Sequence, residues 1–380
     1  MVNLSIGHGR EKVAAIVDIQ AGGAMVTIVK NPHEGPSTIA TSARSTLSLE
    51  PRTMEQSIGS IAQQVKEAGE RALSVYTEEG HTIPVHTVYV IVHAPWARTV
   101  TARSSERLPE DLRVHDELIA SIAQRSLKES AIDRSVLLEA SVVGIELNGY
   151  HTSDPAGKYA HTVDVVSLFS ECDAVVKSSI LAALQALFPV AEVQWRSSAR
   201  AIVSLLRSQA IYDRLIVDMG AESSQIISLR AGTYEERIVP VGVRTILSRV
   251  GGGRMPDEIL GHLRMLSRDA CSNDACEAVE KGLAVSEPDL AHVFGDAIGQ
   301  LAAHKRVAVD LLLITHPDLE SWLSTFFSRI DFSQFTVTTL PFSVHNTDAL
   351  VAPYVELTEA AQESASLIGA ALVNMEAHQS

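Results

Sequence analysis

The sequence predicts an α/β protein built from two related halves that face each other across a cleft. Three observations carry this. Apolar strand-like runs alternate with helix-like periodic stretches through both halves of the chain. A phrase is repeated: "VAAIVDIQAGGAMVTIVK" near the start and "RLIVDMGAESSQIISLRAGTYEERIVPVG" from Arg214 each run an apolar strand into an aspartate, a glycine-bearing turn and a second apolar strand. Finally, residues 307–317, "VAVDLLLITHP", form an almost unbroken apolar run, as a strand covered on both faces of a parallel sheet would.

Residues 13–18 and 24–30 read as strands around a glycine turn, and the Ser/Thr-rich stretch 37–50 as a further strand. Met54, Ile58, Ile61, Val65, Ala68, Ala72 and Tyr76 then recur at spacings of three and four, which predicts a helix, with Thr53 and Gln56 as its capping box. Residues 86–95 are a buried strand. Residues 97–108 read as extended and 114–130 as helical. Residues 135–150 and 158–171 are long β-type runs separated by a turn rich in Asp-Pro and Gly. A helix over 172–187, the strand "AEVQWRS" and the helix "ARAIVSLLRSQA" lead to the repeat. Beyond it, "RVGGGRMPDEILGHL" gives a glycine-rich turn and a helix begun by Pro256 and Asp257. Helices over 277–285 and 291–305, the strand 307–317 and a closing helix over 358–373 complete the chain.

The chain has 380 residues, which calls for two domains. It is 46% hydrophobic and 20% charged, a globular balance. The net charge of −15 offers no basic face for nucleic acid, so that partner is excluded. No run approaches the ~20 apolar residues of a membrane span. The first residues lack a secretory core and the last ones a basic amphipathic helix, so neither secretion nor direct membrane anchoring is expected. Cys172, Cys271 and Cys276 are an odd number and read as free thiols of a reducing cytoplasm. With His262 they offer one loose ligand pair where a structural zinc needs two.

Asp18 and Asp218 coincide when the two repeats are superimposed, and Gly35 and Gly232 follow at matching turns. Two such turns converging on a cleft would present backbone N–H groups to an anion. Two carboxylates there would suit hydrated Mg²⁺, a hard cation. Residue types alone favour a plainer role, aspartates capping turns at strand ends. The duplication argues for the cleft in the fold, though not for catalysis. His316 at a strand end has no identifiable nucleophile beside it and reads as a turn residue. Trp195 and Trp322 read as core or interface anchors.

The paired turns resemble those of the actin/Hsp70/sugar-kinase superfold, with duplicated ribonuclease H-like domains around a cleft. Within it the chain is most similar to the bacterial FtsA and PilM group. "LNGYHTSDPAGKYAHTVDVVSLFSECD" looks like the strand-turn-strand of that group's inserted subdomain, and "YEERIVPVGVRTI" is similar to the segment after the second phosphate turn. The resemblance implies a first domain of residues 1–97 and 172–212, an inserted strand-helix-strand-strand α+β subdomain at 98–171, and a second domain at 213–380. It implies nucleotide contacts at Asp18, Gly22, Gly23, Asp218, Gly220, Ser223, Ser224 and Gly242, with ATP as cofactor and Mg²⁺ on Asp18 and Asp218.

The sequence departs from that pattern at four places. Gln20 stands at the usual Gly, Met25 at the usual Lys and Gln225 at a frequent Asp. Thr315, His316 and Pro317 replace the glycines of the adenine turn, and Arg196–Ser197 replaces a Glu-Pro. Phosphoryl transfer depends on positioning and charge neutralisation, which each change erodes. No catalytic residue is assigned. The resemblance thus implies a cytoplasmic scaffold with a degenerate nucleotide site. It would link inner-membrane partners to cell division or type IV pilus assembly, peripheral to the membrane through those partners and open to self-association. The insert would dock partner peptides by strand addition or in a groove. The alternative is an active ATP-dependent small-molecule kinase or ATPase of the same superfold.

Overall fold

A computed structural model of the chain describes residues 12–50, 52–109, 112–231, 233–271, 274–358 and 363–378. Residues 1–11, read above for targeting, and Gly232, the counterpart of Gly35, lie outside the described residues.

The first lobe begins with β1 (Lys12–Gln20), β2 (Gly23–Asn31) and β3 (Thr38–Arg44), followed by α1 (Met54–Glu78) and β4 (Thr87–Val92). An inserted unit follows: β5 (Ala97–Arg107), α2 (Asp116–Glu129), β6 (Leu137–Leu147), the short β7 (Tyr150–His151) and β8 (Thr162–Cys172). The chain returns to the first lobe with α3 (Ala174–Leu187), β9 (Glu192–Ser197) and α4 (Ser198–Ser208). The second lobe holds β10 (Arg214–Met219), β11 (Ser224–Arg230), β12 (Thr233–Val239), α5 (Val243–Val250), α6 (Pro256–Leu266), α7 (Asp274–Ala302), β13 (Asp310–Ile314), α8 (Pro317–Arg329), β14 (Ser343–His345) and α9 (Asp348–Val351). The final helix, α10 (Ser364–Ala377), packs back onto the first lobe.

The α/β reading holds, and so does the duplication. The first sheet has the order β3-β2-β1-β4-β9 and the second β12-β11-β10-β13-β14. In each, the strand bearing the repeated aspartate pairs antiparallel with the strand after its turn and parallel with the strand on its other side. The registers match as well: Asp18 pairs with Ile91, and Asp218 with Ile314. β1 and β10 are buried on both faces, because helices cover both sides of each sheet. The insert is an antiparallel sheet, β5-β8-β6-β7, with α2 laid on it over Val114, Ile122, Val163 and Val165.

Each lobe has its own apolar core, and a further one lies between them. It joins Ile16 and Ile91 of the first sheet to Ile216, Leu312 and Ile314 of the second through buried faces of α4 and α10. α10 is buried along twelve of its residues, from Ser364 to Met375. The insert also touches the second lobe: the Tyr234 amide donates to Thr101 Oγ1 at 2.8 Å, and Arg103 donates to the Ala231 carbonyl at 3.2 Å.

Some elements differ from their sequence expectation. The helices expected over 277–285 and 291–305 are one helix, α7, with Pro288 inside it. Proline costs a helix one hydrogen bond, but Leu283, Leu290 and Phe294 on either side are buried in the lobe's core and hold the helix through it. The strand expected over 307–317 is confined to β13, because Pro317 already opens α8. Asp173 accepts from the amides of Val175 and Val176, so α3 starts two residues after Cys172. Cys271 and Cys276, expected as free thiols, are joined in a disulfide, their Cα atoms 6.1 Å apart and within the span such a bond allows. Cys172 is free and buried, and burial pushes its thiol up to about 12.

Candidate functional site

The parallel strands β1 and β4 of one lobe, and β10 and β13 of the other, run their C-terminal ends toward the same place. Ligands in open α/β sheets bind beyond such strand ends. Asp18 is 2% exposed and Asp218 3% exposed. Between them lies His93, one residue past the end of β4. Its amide donates to the Ile19 carbonyl at 2.9 Å, which fixes its backbone beside β1. Its ring spans the two lobes. Nε2 lies 2.7 Å from Asp18 Oδ2 and Nδ1 2.8 Å from Asp218 Oδ2.

A carboxylate accepts and cannot donate, so both ring nitrogens must carry protons to satisfy this geometry. The side chain is then an imidazolium between two carboxylates. Burial works to lower the His93 pKa, but the charges of Asp18 and Asp218 and their hydrogen bonds outweigh it and hold the ring well above its usual value of 6.5. Gln20 completes the arrangement, its Nε2 donating to Asp18 Oδ1 at 3.0 Å.

The two turns touch. The Glu222 amide of the second turn donates to the Ala21 carbonyl of the first at 3.1 Å. Gly22 has φ +85°, and a Cβ built there would lie 2.4 Å from Glu222 Cγ. Glycine is therefore needed both for the left-handed backbone and for the close approach of the other lobe. The Glu222 carboxylate accepts from Ser57 Oγ of α1 at 3.2 Å and lies 3.8 Å from Arg244 Nε. Gly23 follows, and the next amide, Ala24, donates to Ser45 Oγ at 3.0 Å.

Within the second lobe the Gly220 amide closes its own turn onto the Ser223 carbonyl at 2.9 Å. Ser224 is turned away from the cleft, its Oγ donating to the Val241 carbonyl at 2.5 Å. Gly242 precedes α5 and lies so close to the turn that a Cβ there would sit 2.6 Å from the carbonyl oxygens of Gly220 and Ala221. Those carbonyls accept the first amides of α5: Val243 to Gly220 at 3.0 Å and Arg244 to Ala221 at 2.8 Å. Asp18, Gly22, Gly23, Asp218, Gly220 and Gly242 thus converge on one junction, while the Ser224 hydroxyl does not face it.

Three cavities border the aspartates, each of about 10 Å³, room for one water. A small-molecule site typically encloses a few hundred Å³. In this arrangement the residues do not fit a nucleotide with its cation. The carboxylate oxygens that would take Mg²⁺ are held by His93, and the Glu222, Ala24, Val243 and Arg244 amides already have protein acceptors.

Two residues beyond Ile314 stands His316, in the place that His93 holds beyond Ile91. Its Nδ1 accepts from the Asp318 amide at 3.2 Å and caps α8, as a turn residue would. Burial pulls its pKa below the ordinary value. Trp195 packs on the first lobe's core and Trp322 on the second's. Sequence reasoning missed His93.

No family model matches the chain, and no curated protein does. Among solved structures the chain is similar to the PilM-PilN type IV pilus biogenesis complex, with a TM-score of 0.54 at 14% identity over 96% of this chain and 98% of the other. Weaker likenesses include the ethanolamine utilization protein EutJ from Carboxydothermus hydrogenoformans, at TM-score 0.44 and 12% identity over 96% of this chain and 91% of that one. Another is a Bacteroides thetaiotaomicron protein with an actin-like ATPase fold, at TM-score 0.37 and 10% identity over 92% and 95%. The chain has the actin-like fold, which it shares with the PilM-PilN structure.

Proposed function

We propose that this chain is a protein-binding adaptor of the PilM kind, whose interlobe cleft is closed by its own histidine instead of by a nucleotide and its cation. The observation that carries the reading is the Asp18–His93–Asp218 bridge. An imidazolium with two donors stands between the two carboxylates that would otherwise share Mg²⁺, so the lobes are joined by protein alone. The Glu222 amide of one turn is spent on the Ala21 carbonyl of the other, and the Gly220 amide on the Ser223 carbonyl of its own turn, which takes donors away from an anion cradle. In its adaptor role the chain would act at the cytoplasmic side of the inner membrane, joining membrane-embedded partners to type IV pilus assembly. The likeness to a PilM structure solved in complex with PilN supports a protein partner over a small-molecule substrate. Among the described residues no helix is long and apolar enough to cross a membrane, so attachment would run through that partner.

Titration calorimetry of the purified chain with ATP, with and without Mg²⁺, tests the closed cleft. The expected result is no saturable heat and no phosphate release. Tight Mg-dependent binding with turnover that Asp218→Ala abolishes would establish the enzyme reading instead. Co-elution with a PilN-type partner tests the adaptor half, and it should not change when ATP is added.

A further inference from the structure

Away from the interlobe junction, a cavity of about 310 Å³ opens between the insert and the first lobe. It is lined by α4 through Arg200, Ser204 and Arg207, by Gly144 of β6, by Thr152 and by Glu376 of α10. Residues 200, 204 and 207 fall at i, i+4 and i+7 and so share one face of α4. These three side chains carry four buried polar atoms without a hydrogen-bond partner: Arg200 Nε, Ser204 Oγ, Arg207 Nε and Arg207 Nη2. Buried polar groups are nearly always paired, so this concentration on a single helix face needs a reason.

The acids nearby make their hydrogen bonds to other groups, although the charge of Glu139 reaches Arg200 and that of Glu146 reaches Arg207. Glu376 is held by Arg196 at 2.8 and 2.7 Å. Glu146 is held by Arg103 at 3.1 and 2.5 Å. Glu139 accepts from the amide and hydroxyl of Ser197 through Oε1, both at 2.7 Å, while its buried Oε2 has no hydrogen-bond partner. Arg207 is left with a desolvated charge, and burial pulls its pKa below the ordinary value. It is held in place without an acid: its guanidinium lies 5.6 Å over the ring of Tyr212, which itself stacks on His151 at 3.9 Å. On its other side the guanidinium rests on the backbone of β6, where a Cβ at Gly144 would lie 1.9 Å from Nη1. Gly144 stands at a register shift in the β6–β8 pairing, so the strand is locally shaped around the arginine.

We propose that this cavity is an oxyanion site, in which Arg207, Arg200 and Ser204 bind a phosphate or carboxylate group of a small ligand. A planar guanidinium fork matches two oxygens of such a group, and a hydroxyl completes a third contact. The volume admits a small ligand but no folded partner. Two arginines on one helix face bring positive charge to this cavity in a chain of net charge −15. The site stands independently of the adaptor reading, since its lining shares no residue with the cavities that border Asp18 and Asp218.

The test is titration calorimetry of the intact chain at neutral pH, with inorganic phosphate in one arm and succinate in the other. The wild type is expected to bind at least one of them saturably, and the arm that succeeds identifies the class. Arg207→Gln is expected to weaken that binding by about tenfold or more, roughly the loss of one charged contact. The same substitution should raise the melting temperature of the ligand-free protein, because it removes an unpaired buried charge. A merely structural arginine would give the opposite shift. Should Arg207→Gln fail to fold, Gly144→Ala displaces the guanidinium without changing the charge and should weaken binding comparably. Absence of binding in both arms overturns the proposal, as does binding that the variant tested leaves unchanged.

Discussion

His93 shows most directly how a residue can redefine a site. Two buried carboxylates facing each other repel, and either a proton on one of them or a positive group between them relieves this. Here that is a side chain instead of an ion, so removing it leaves uncompensated charge. His93→Ala is expected to destabilise the protein by roughly 3–5 kcal/mol, the usual cost of breaking one side of a buried ion pair. Chemical denaturation at neutral pH checks this, and a loss below about 1 kcal/mol would mean that the bridge holds little. The pH dependence has a definite sign. Asp18 and Asp218 are the charged groups that face the ring, from β1 and β10, and they raise its folded-state pKa well above 6.5. The folded state therefore keeps a proton that the unfolded chain releases. The stabilisation is complete below about pH 6.5 and fades as the pH rises through the folded value. The stability gap between the wild type and His93→Ala should narrow toward alkaline pH, and a gap that widens would refute an imidazolium. The aspartates were legible in the sequence because they are repeated, whereas His93 was not. A signal for it existed: "VIVHAP" and "LITHPD" both end a buried strand in an apolar residue, one more residue, then His. Nothing local to the strand before His93 shows that it lies beside Asp18 in register.

Elements were legible where local chemistry acts alone and misjudged where tertiary contacts overrule it. α1 was read from its apolar spacing and its cap, and both are present: Gln56 N donates to Thr53 Oγ1 at 3.2 Å, and Thr53 N donates to Gln56 Oε1 at 2.9 Å. Thr53→Ala should cost about 1 kcal/mol, measured as a fall in melting temperature, since it leaves a helix amide without its acceptor. α7 is the opposite case. The sequence reads as two helices over 277–285 and 291–305, yet core contacts before and after Pro288 carry one helix through it. The proline therefore works against the element, and Pro288→Ala should raise the melting temperature by restoring the missing amide donor. A fall would mean that the ring's packing outweighs the backbone gain. The four departures read from the phosphate turns were visible as changed residue types. The contact between the turns was not, because Glu222 meeting Gly22 is set by how the lobes meet, which no local pattern encodes.

At the scale of the whole molecule, the question is whether two lobes that could open behave as one unit. A hinged protein needs an interface weak enough to part, and the bridge at His93 is only one of the ties here. α10 seals a core that contains residues of both sheets, Ile16 and Ile91 with Ile216 and Ile314. A Cβ at Gly369 of that helix would lie 2.9 Å from Ile16 Cγ2, so the helix presses on the first sheet with no slack. The insert adds a third tie through Thr101 and Tyr234. Such redundancy predicts a single calorimetric unfolding transition for the wild type, because neither lobe can melt without exposing the shared core. His93→Ala should lower that one transition as a whole, since the apolar ties persist when the charged one is gone. Two separate transitions in the variant would show that the histidine alone couples the lobes. Hydrogen exchange then locates the change: protection should fall first at the Glu222 and Ala24 amides, whose acceptors lie at the junction, while β1 and β10 stay protected.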